Sequence, residues 1–387
     1  MTFMKILFYL NRYPAYGGIE TVTTQLANYF VQKKHEVSIF SFIAMEERLL
    51  MLLDRRIEWI LAKDSKNIDC LENVLQFQEI LSKSSFDFIL FQDSYAPIER
   101  LLFKVNAFSR YRVILVEHNT PNAFLKDLNA SLHYFHGKDF VVRLMLYPIY
   151  YVKRYLFVSQ RIRKLYKVCY KYVLLSDCYY SVWERLTHIR NHPKLLYVNN
   201  PLTVQSINEF IANKEKVCLF AARLTEQKGT DKIIRIWRKI EKKHPDWSLI
   251  ILGDGSQKNN MQEMVKFLGM KYVFFEGFKT NVVDYYRRAA ILCMTSIYEG
   301  WPLSLTEAMA YSCLPMTFNS YASASDIISD GTNGCLITPF DEDEYVSRLS
   351  ELMDDKEKLL KMRKAAFEYS RTKEISIIGE KWFTVMK

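Results

Sequence analysis

Three consecutive pieces decide the fold: KILFYL (5–10), GGIETVTTQLANYFVQKK (17–34) and HEVSIFSF (35–42). The first and third are apolar runs of strand length. The second repeats its apolar residues at helical spacing. Strand, helix, strand in this order predicts a crossover unit. Uninterrupted apolar runs belong to strands buried on both faces, hence to a parallel sheet covered by helices. FDFILFQ (86–92), YRVILVEH (111–118) and KYVLLS (171–176) continue the pattern, and LLYVNNPL (195–202) ends it. A second series follows: KVCLFAA (216–222), WSLIILGDG (247–255), KYVFFEGF (271–278), ILCMTS (291–296), LPMTFN (314–319) and CLIT (335–338). Helical patterns such as TDKIIRIWRKIEKKHP (230–245) separate these strands, and DEDEYVSRLSELMDD (341–355) and EKLLKMRKAAFEYS (357–370) are amphipathic. The expectation is an α/β protein of two doubly wound halves joined near 201–212. Such sheets bind ligands outside the carboxyl ends of their strands.

The 387 residues suit two domains, and 49% hydrophobic with 25% charged residues is a globular composition. Seven scattered cysteines (Cys70, Cys169, Cys178, Cys218, Cys293, Cys313, Cys335) form no CxxC pair. That argues against a disulfide scaffold or zinc site and for a reducing compartment. MTFMKILFYLNRYP reads as a first strand; Asn11, Arg12 and Pro14 interrupt its apolar core too early for a signal peptide. No run reaches the length of a membrane span. The net charge of +10 favours anionic partners. Much of it falls on Lys138, Arg143, Lys153, Arg154, Arg161, Arg163, Lys164, Lys167 and Lys171, against Asp139 alone. The same segment is aromatic and apolar, as in FVVRLMLYPIYYVKRYLFV (140–158).

Several loops after strands carry chemistry. In FAARLTEQKGTD (220–231), Arg223 and Lys228 precede Gly229 and Thr230, a candidate helix N-cap. A guanidinium fork, an ammonium and a helix N-terminus together suit a diphosphate, though a solvated basic loop would read the same way. ILGDGS places Gly253 and Gly255 at another strand end, for a ligand's close approach or for a tight turn. NRYPAYGGIET opens a helix at Gly17 and Gly18, without the spaced glycines of a dinucleotide fingerprint. VEHNTP puts His118 at a strand end. His133 and His136 have no third ligand type nearby and read as surface residues. DED (341–343) reads as helix-starting acids rather than a metal triplet.

In SIYEGWPLSLTEAMAYSCLPM (296–316), Glu299 and Glu307 are eight positions apart. On one helix they would point about 80° apart. Gly300 and Pro302 instead place Glu299 in a loop and Glu307 on the helix behind it.

Arg223 and Lys228–Gly229, then Gly253–Asp254–Gly255, then Glu299-Gly-Trp-Pro-Leu-Ser-Leu-Thr-Glu307, with GGIE and His118, resemble glycosyltransferase family 4 over nearly the whole chain. The resemblance implies the GT-B fold: two Rossmann-like domains facing an interdomain cleft. The N-terminal acceptor-side domain would span 1–202 and the nucleotide-sugar domain 203–370. Residues 371–387, with EISIIGEKWFTVM (374–386), would form a terminal helix crossing back. It implies retaining transfer from a nucleotide-sugar with no bound metal. Arg223 and Lys228 would hold the donor diphosphate, Glu307 the ribose hydroxyls and Glu299 the donor sugar. Gly17, Gly18, Gly253, Gly255, Gly300 and Leu303 would line the donor, and His118 would lie near the reacting centre. The chain departs from the family pattern at Ser312, often Gly, and at Trp301, often Phe. SYASASDII (320–328) has Asp326 where Glu is usual and Ser323–Ala324–Ser325 in place of a glycine-rich turn.

A UDP-sugar is the default donor in such a family. The basic aromatic segment points to an anionic membrane surface and a glycan or polyprenyl-pyrophosphate-linked acceptor, at the inner face of the cytoplasmic membrane. Capsule, O-antigen and exopolysaccharide synthesis are the settings this suits. Charge reversal at Arg161, Arg163 and Lys164 is expected to weaken liposome binding. A nucleic-acid-binding protein could use the same segment, with bases stacked on its aromatics. It would have no use for the Arg–Lys–Glu–Glu set, and no nucleic-acid partner is expected. A GT-B nucleotide-sugar epimerase is the nearer alternative; the Glu299–Glu307 spacing favours transfer.

Overall fold

The computed structural model describes residues 3–92, 97–132 and 137–387; the side chains of 129–144 are not described. The chain divides into two compact units. The first comprises Met1–Asn122, Lys153–Thr203 and Ile375–Lys387, the second Ala123–Val152 and Val204–Glu374.

The first unit is built on β1 (Lys5–Arg12), β2 (Glu36–Ile43), β3 (Glu58–Leu61), β4 (Phe88–Phe91), β5 (Arg112–Glu117), β6 (Lys171–Leu174) and β7 (Leu195–Tyr197). They pair in parallel in the order β3-β2-β1-β4-β5-β6-β7. β1 lies inside the sheet between β2 and β4, with Ile6, Leu7, Phe8 and Tyr9 wholly buried. The helix Gly18–Gln32 covers it through Val22, Leu26 and Phe30. β3 is absent from the sequence reading. It is a four-residue edge strand, half-exposed, and lacks the apolar run that marks its neighbours.

The second unit holds β8 (Glu215–Ala221), β9 (Ser248–Leu252), β10 (Val273–Gly277), β11 (Ala289–Met294), β12 (Leu314–Phe318) and β13 (Cys335–Ile337). Its order, β10-β9-β8-β11-β12-β13, is again parallel throughout. Strand order reverses between β1 and β4, and between β8 and β11. Ligand crevices of doubly wound sheets form at such points, outside the carboxyl ends.

Two segments leave their sequence neighbours. The helix Ile375–Val385 belongs to the first unit: the Phe383 ring lies 5.2 Å from that of Phe30, tilted by 43°, and the Tyr29 hydroxyl donates to Glu380 at 2.8 Å. Gly379 allows this approach, since a Cβ there would lie 2.2 Å from the Tyr29 ring. The sequence reading placed all of 1–202 in one domain, but Ala123–Val152 clusters with the second unit. The cause lies in the helix Ala123–Leu132. Lys126 donates to the Ser320 carbonyl at 3.2 Å, and the Tyr298 hydroxyl bonds to Asp127.

Local signals mostly read true. Asp341 caps the helix Glu342–Asp354 by accepting from the Asp343 and Glu344 amides. At Thr230 the cap lies one residue earlier: Gly229 precedes the helix Thr230–Lys243 in the left-handed region, at φ 60°. All seven cysteines are free. Among the described residues no helix is long and apolar enough to cross a membrane.

Candidate functional site

In the second unit the loops after β8 and β11 are fastened together. The Thr295 hydroxyl donates to the carbonyls of Lys228 and Gly229 at 3.0 and 2.8 Å. The Ile297 amide donates to Gln227 O at 2.8 Å, and the Gln227 side chain returns a bond to Tyr298 O at 3.0 Å. A Cβ on Gly229 would lie 2.1 Å from the Thr295 carbonyl, so glycine is required twice there, by φ and by proximity.

This seam brings together two residues 71 positions apart. Lys228 Nζ meets Glu299 Oε1 at 2.5 Å, with side chains only 17% and 9% exposed. Charges buried to this degree are stable only when paired. Arg223, in the same loop, is exposed, and among the described residues no carboxylate pairs with its guanidinium.

Glu299 and Glu307 are carried as expected, one in a loop and one on the helix Leu303–Ala310. The Tyr286 hydroxyl donates to Glu307 Oε2 at 3.0 Å. Tyr286 is buried, and burial, reinforced by Glu307, pushes its hydroxyl well above the usual tyrosine range. It therefore remains a donor and fixes the carboxylate. Lys214 holds the tyrosine's own helix end, donating to the carbonyls of Tyr286, Arg287 and Tyr311 at 2.6, 2.7 and 2.6 Å. Gly300 is buried behind Glu299, and Leu303 begins the helix.

Gly253 and Gly255 have a packing reason for their identity. Their φ values are 127° and 155°, and Cβ atoms would lie 1.9 Å from Ala222 O and 2.4 Å from Leu224 O. The Leu224 amide donates to Asp254 O at 2.9 Å, so the 253–255 turn is laid on the loop that carries Arg223.

In the first unit, Gly17 and Gly18 are exposed after β1. Gly17 has extended backbone (φ 176°), and a Cβ there would meet only the movable tip of Glu20. His118 follows β5 and lies 2.5 Å, through Nε2, from Oε1 of the wholly buried Gln92 after β4. Burial pushes the imidazole down to about 3, so at neutral pH it is uncharged. With Nε2–H donating to Gln92, Nδ1 is the acceptor.

Sequence reasoning missed Gln92, Tyr286, Tyr298, Lys126 and Asp127. Gln92 left one signal, a polar residue closing an apolar strand. The others owe their roles to partners distant in sequence. His133 and His136 lie outside the described residues. Among the described residues no group of three His, Cys, Asp or Glu side chains could hold a metal ion.

Comparison with known proteins agrees with this layout. The family of glycosyl transferases group 1 matches residues 204–369, and glycosyltransferase family 4 matches 16–172. An uncharacterized glycosyltransferase of Haemophilus influenzae is 26% identical over 385 residues, covering 98% of both chains. The Campylobacter jejuni GalNAc-alpha-(1->4)-GalNAc-alpha-(1->3)-diNAcBac-PP-undecaprenol alpha-1,4-N-acetyl-D-galactosaminyltransferase is 29% identical over 174 residues, 45% of this chain and 48% of that enzyme. The crystal structure of Anabaena Alr3699/HepE in complex with UDP and glucose has a TM-score of 0.75 at 15% identity, covering 99% of both chains. At that identity the likeness is one of fold.

Proposed function

We propose that this chain, which belongs to the GT-B glycosyltransferases of family 4 type, moves a sugar from a UDP-sugar, with retention, to a glycan or polyprenyl-diphosphate-linked acceptor of a bacterial surface polysaccharide. Lys228 paired with Glu299 at the β8–β11 switch point, beside Arg223, is the observation that carries this reading. The donor diphosphate would lie against Arg223 and Lys228, which stabilise the charge that develops as it leaves. Glu307, aligned by Tyr286, accepts from the ribose hydroxyls. Glu299 accepts from the donor sugar. Each such charge-assisted bond is worth about 1.5–3 kcal/mol. The protein's own cations supply the neutralisation that a metal would otherwise provide. The departing phosphate oxygen takes the acceptor proton on the same face of the sugar. His118, uncharged, offers Nδ1 as an acceptor for a substrate group at the ends of β4 and β5.

UDP is favoured because the similar HepE fold was solved with UDP and glucose. A lipid-linked acceptor is favoured by the name of the Campylobacter relative. The long helix Gly137–Val168 supports work at a membrane. Met145, Ile149, Tyr150, Val152, Leu156 and Phe157 are exposed along it at helical spacing, with Lys153, Lys164 and Lys167 exposed on the same helix. Apolar side chains interleaved with cations along one exposed helix suit an anionic lipid interface. The cation set differs from the sequence expectation. Arg161 is held by Glu99 at 2.9 and 2.8 Å, both side chains 13% exposed, and Arg163 donates to the Thr187 carbonyl. Neither is available to lipid.

The test is thermal stability with UDP, GDP, ADP and CMP in EDTA, for wild type and Glu307→Ala. UDP should raise the wild-type midpoint and leave the variant's unchanged. No response to any of the four would refute the donor-site assignment.

A further inference from the structure

Lys126 stands in the first turn of the helix Ala123–Leu132 and is half-buried. One of its three protons is used, by the Ser320 carbonyl at 3.2 Å. Its neighbour Asp127 is engaged by the Tyr298 hydroxyl, and among the described residues no carboxylate pairs with Lys126. Its place is unfavourable on three counts. Burial disfavours the ammonium and lowers its pKa. The helix N-terminus carries positive partial charge. No counter-ion balances it, although buried charges normally have one.

The surroundings indicate what would balance it. Ser320 follows β12, and its hydroxyl donates at 2.7 Å to the carbonyl of Ser296, three residues before Glu299. Lys126 is thus bonded to the loop that braces the Glu299 segment. The same loop leads into Ser323–Ser325, where the expected glycine-rich turn is missing. Lys228 shares its charge with Glu299 at 2.5 Å. Together with the exposed Arg223 it leaves part of a diphosphate's charge unbalanced.

We infer that Lys126 is a further cation of the donor site, binding a phosphoryl oxygen of the ligand; this rests on the transferase reading above. The phosphoryl group is that of the nucleoside diphosphate or of a diphosphate-linked acceptor. The ligand would supply the counter-ion, bringing phosphate to a loop where Ser323–Ala324–Ser325 stand in place of a glycine-rich turn.

The test titrates UDP and farnesyl diphosphate into wild type, Lys126→Met and Lys126→Arg, and records melting without ligand. Lys126→Met should bind UDP about ten-fold or more weaker, and Lys126→Arg within about three-fold of wild type, as expected for one lost charge-assisted bond. Unliganded Lys126→Met should melt at or above the wild-type temperature, because a partly buried charge without a counter-ion has gone. If farnesyl diphosphate alone weakens, the phosphoryl group is the acceptor's. Unchanged binding of both ligands would overturn the inference and leave the transferase reading intact. A lower melting temperature for Lys126→Met would also overturn it, marking Lys126 as a structural strut to Ser320. Failure of wild type to bind either ligand would remove both readings together.

Discussion

Replacing Lys228 by alanine takes the ammonium partner from the Glu299 carboxylate. Glu299 is 7% exposed, and its ammonium partner lies 2.5 Å away. Removing one member of a buried pair typically costs about 3–5 kcal/mol, because the remaining charge stays desolvated and loses its counter-charge. The low end applies here, since Lys228 is 17% exposed and reaches water at its edge. For a domain of 150–250 residues each kcal/mol moves the midpoint by about 2–4 °C, so Lys228→Ala should melt about 6–12 °C lower. Glu299→Gln should cost less, about 1–2 kcal/mol, because the longer lysine can turn its ammonium outward. Joining the two changes removes both charges together. The double variant should therefore be more stable than Lys228→Ala alone, with a coupling energy of about 2 kcal/mol. Circular-dichroism melts of the four proteins measure this directly. Additive single effects, with coupling below about 0.5 kcal/mol, would refute the claim that the two charges depend on each other.

Other consequences follow for pH, packing and membranes. His118 stays neutral down to about 3 in the folded protein, against 6.5 in the open chain. The unfolded state therefore binds the extra proton between those values, and stability falls as pH drops through that window, by up to about 1.4 kcal/mol per pH unit. Urea midpoints for wild type and His118→Asn should diverge between pH 6.5 and 4, and parallel profiles would contradict the burial argument. Gly379→Val drives a side chain into the Tyr29 ring, 2.2 Å from where its Cβ would sit. Such overpacking costs about 1–3 kcal/mol, and adding Tyr29→Ala should recover part of it in thermal melts. Leu156→Ser with Phe157→Ser should weaken co-sedimentation with anionic vesicles. Arg161→Glu should instead destabilise the first unit through its Glu99 contact. Equal vesicle binding by the double serine variant would remove the membrane face from the account.

The two sheets were legible because their strands are buried on both faces, so each appears as an unbroken apolar run. KILFYL lies within β1 and ILCMTS overlaps β11. EWIL at β3 escaped because a half-exposed edge strand has no such run. The attachment of Ala123–Val152 to the second unit was not legible. It depends on bonds such as Asp127–Tyr298 and Lys126–Ser320, across separations of 171 and 194 residues. The site was legible in its parts but not in its pairings. Lys228 and Glu299 each stood out beside a glycine, yet nothing local says that they bond to each other. Gly253 and Gly255 read as a ligand approach or a tight turn, and the structure adds the carbonyls of Ala222 and Leu224 as a packing reason. The charge of the 138–171 segment was visible in composition. Composition cannot show that Glu99 and the Thr187 carbonyl engage two of its arginines.

The most direct test of donor-site chemistry is nucleotide release. Purified protein in EDTA is incubated with UDP-, GDP-, ADP- and CMP-sugars, and free nucleotide is followed for wild type, Lys228→Ala and Glu307→Ala. Wild type should release UDP slowly from a UDP-sugar, and both variants should lose that release. Release that persists in both variants, or that comes only from a non-uridine donor, would contradict it.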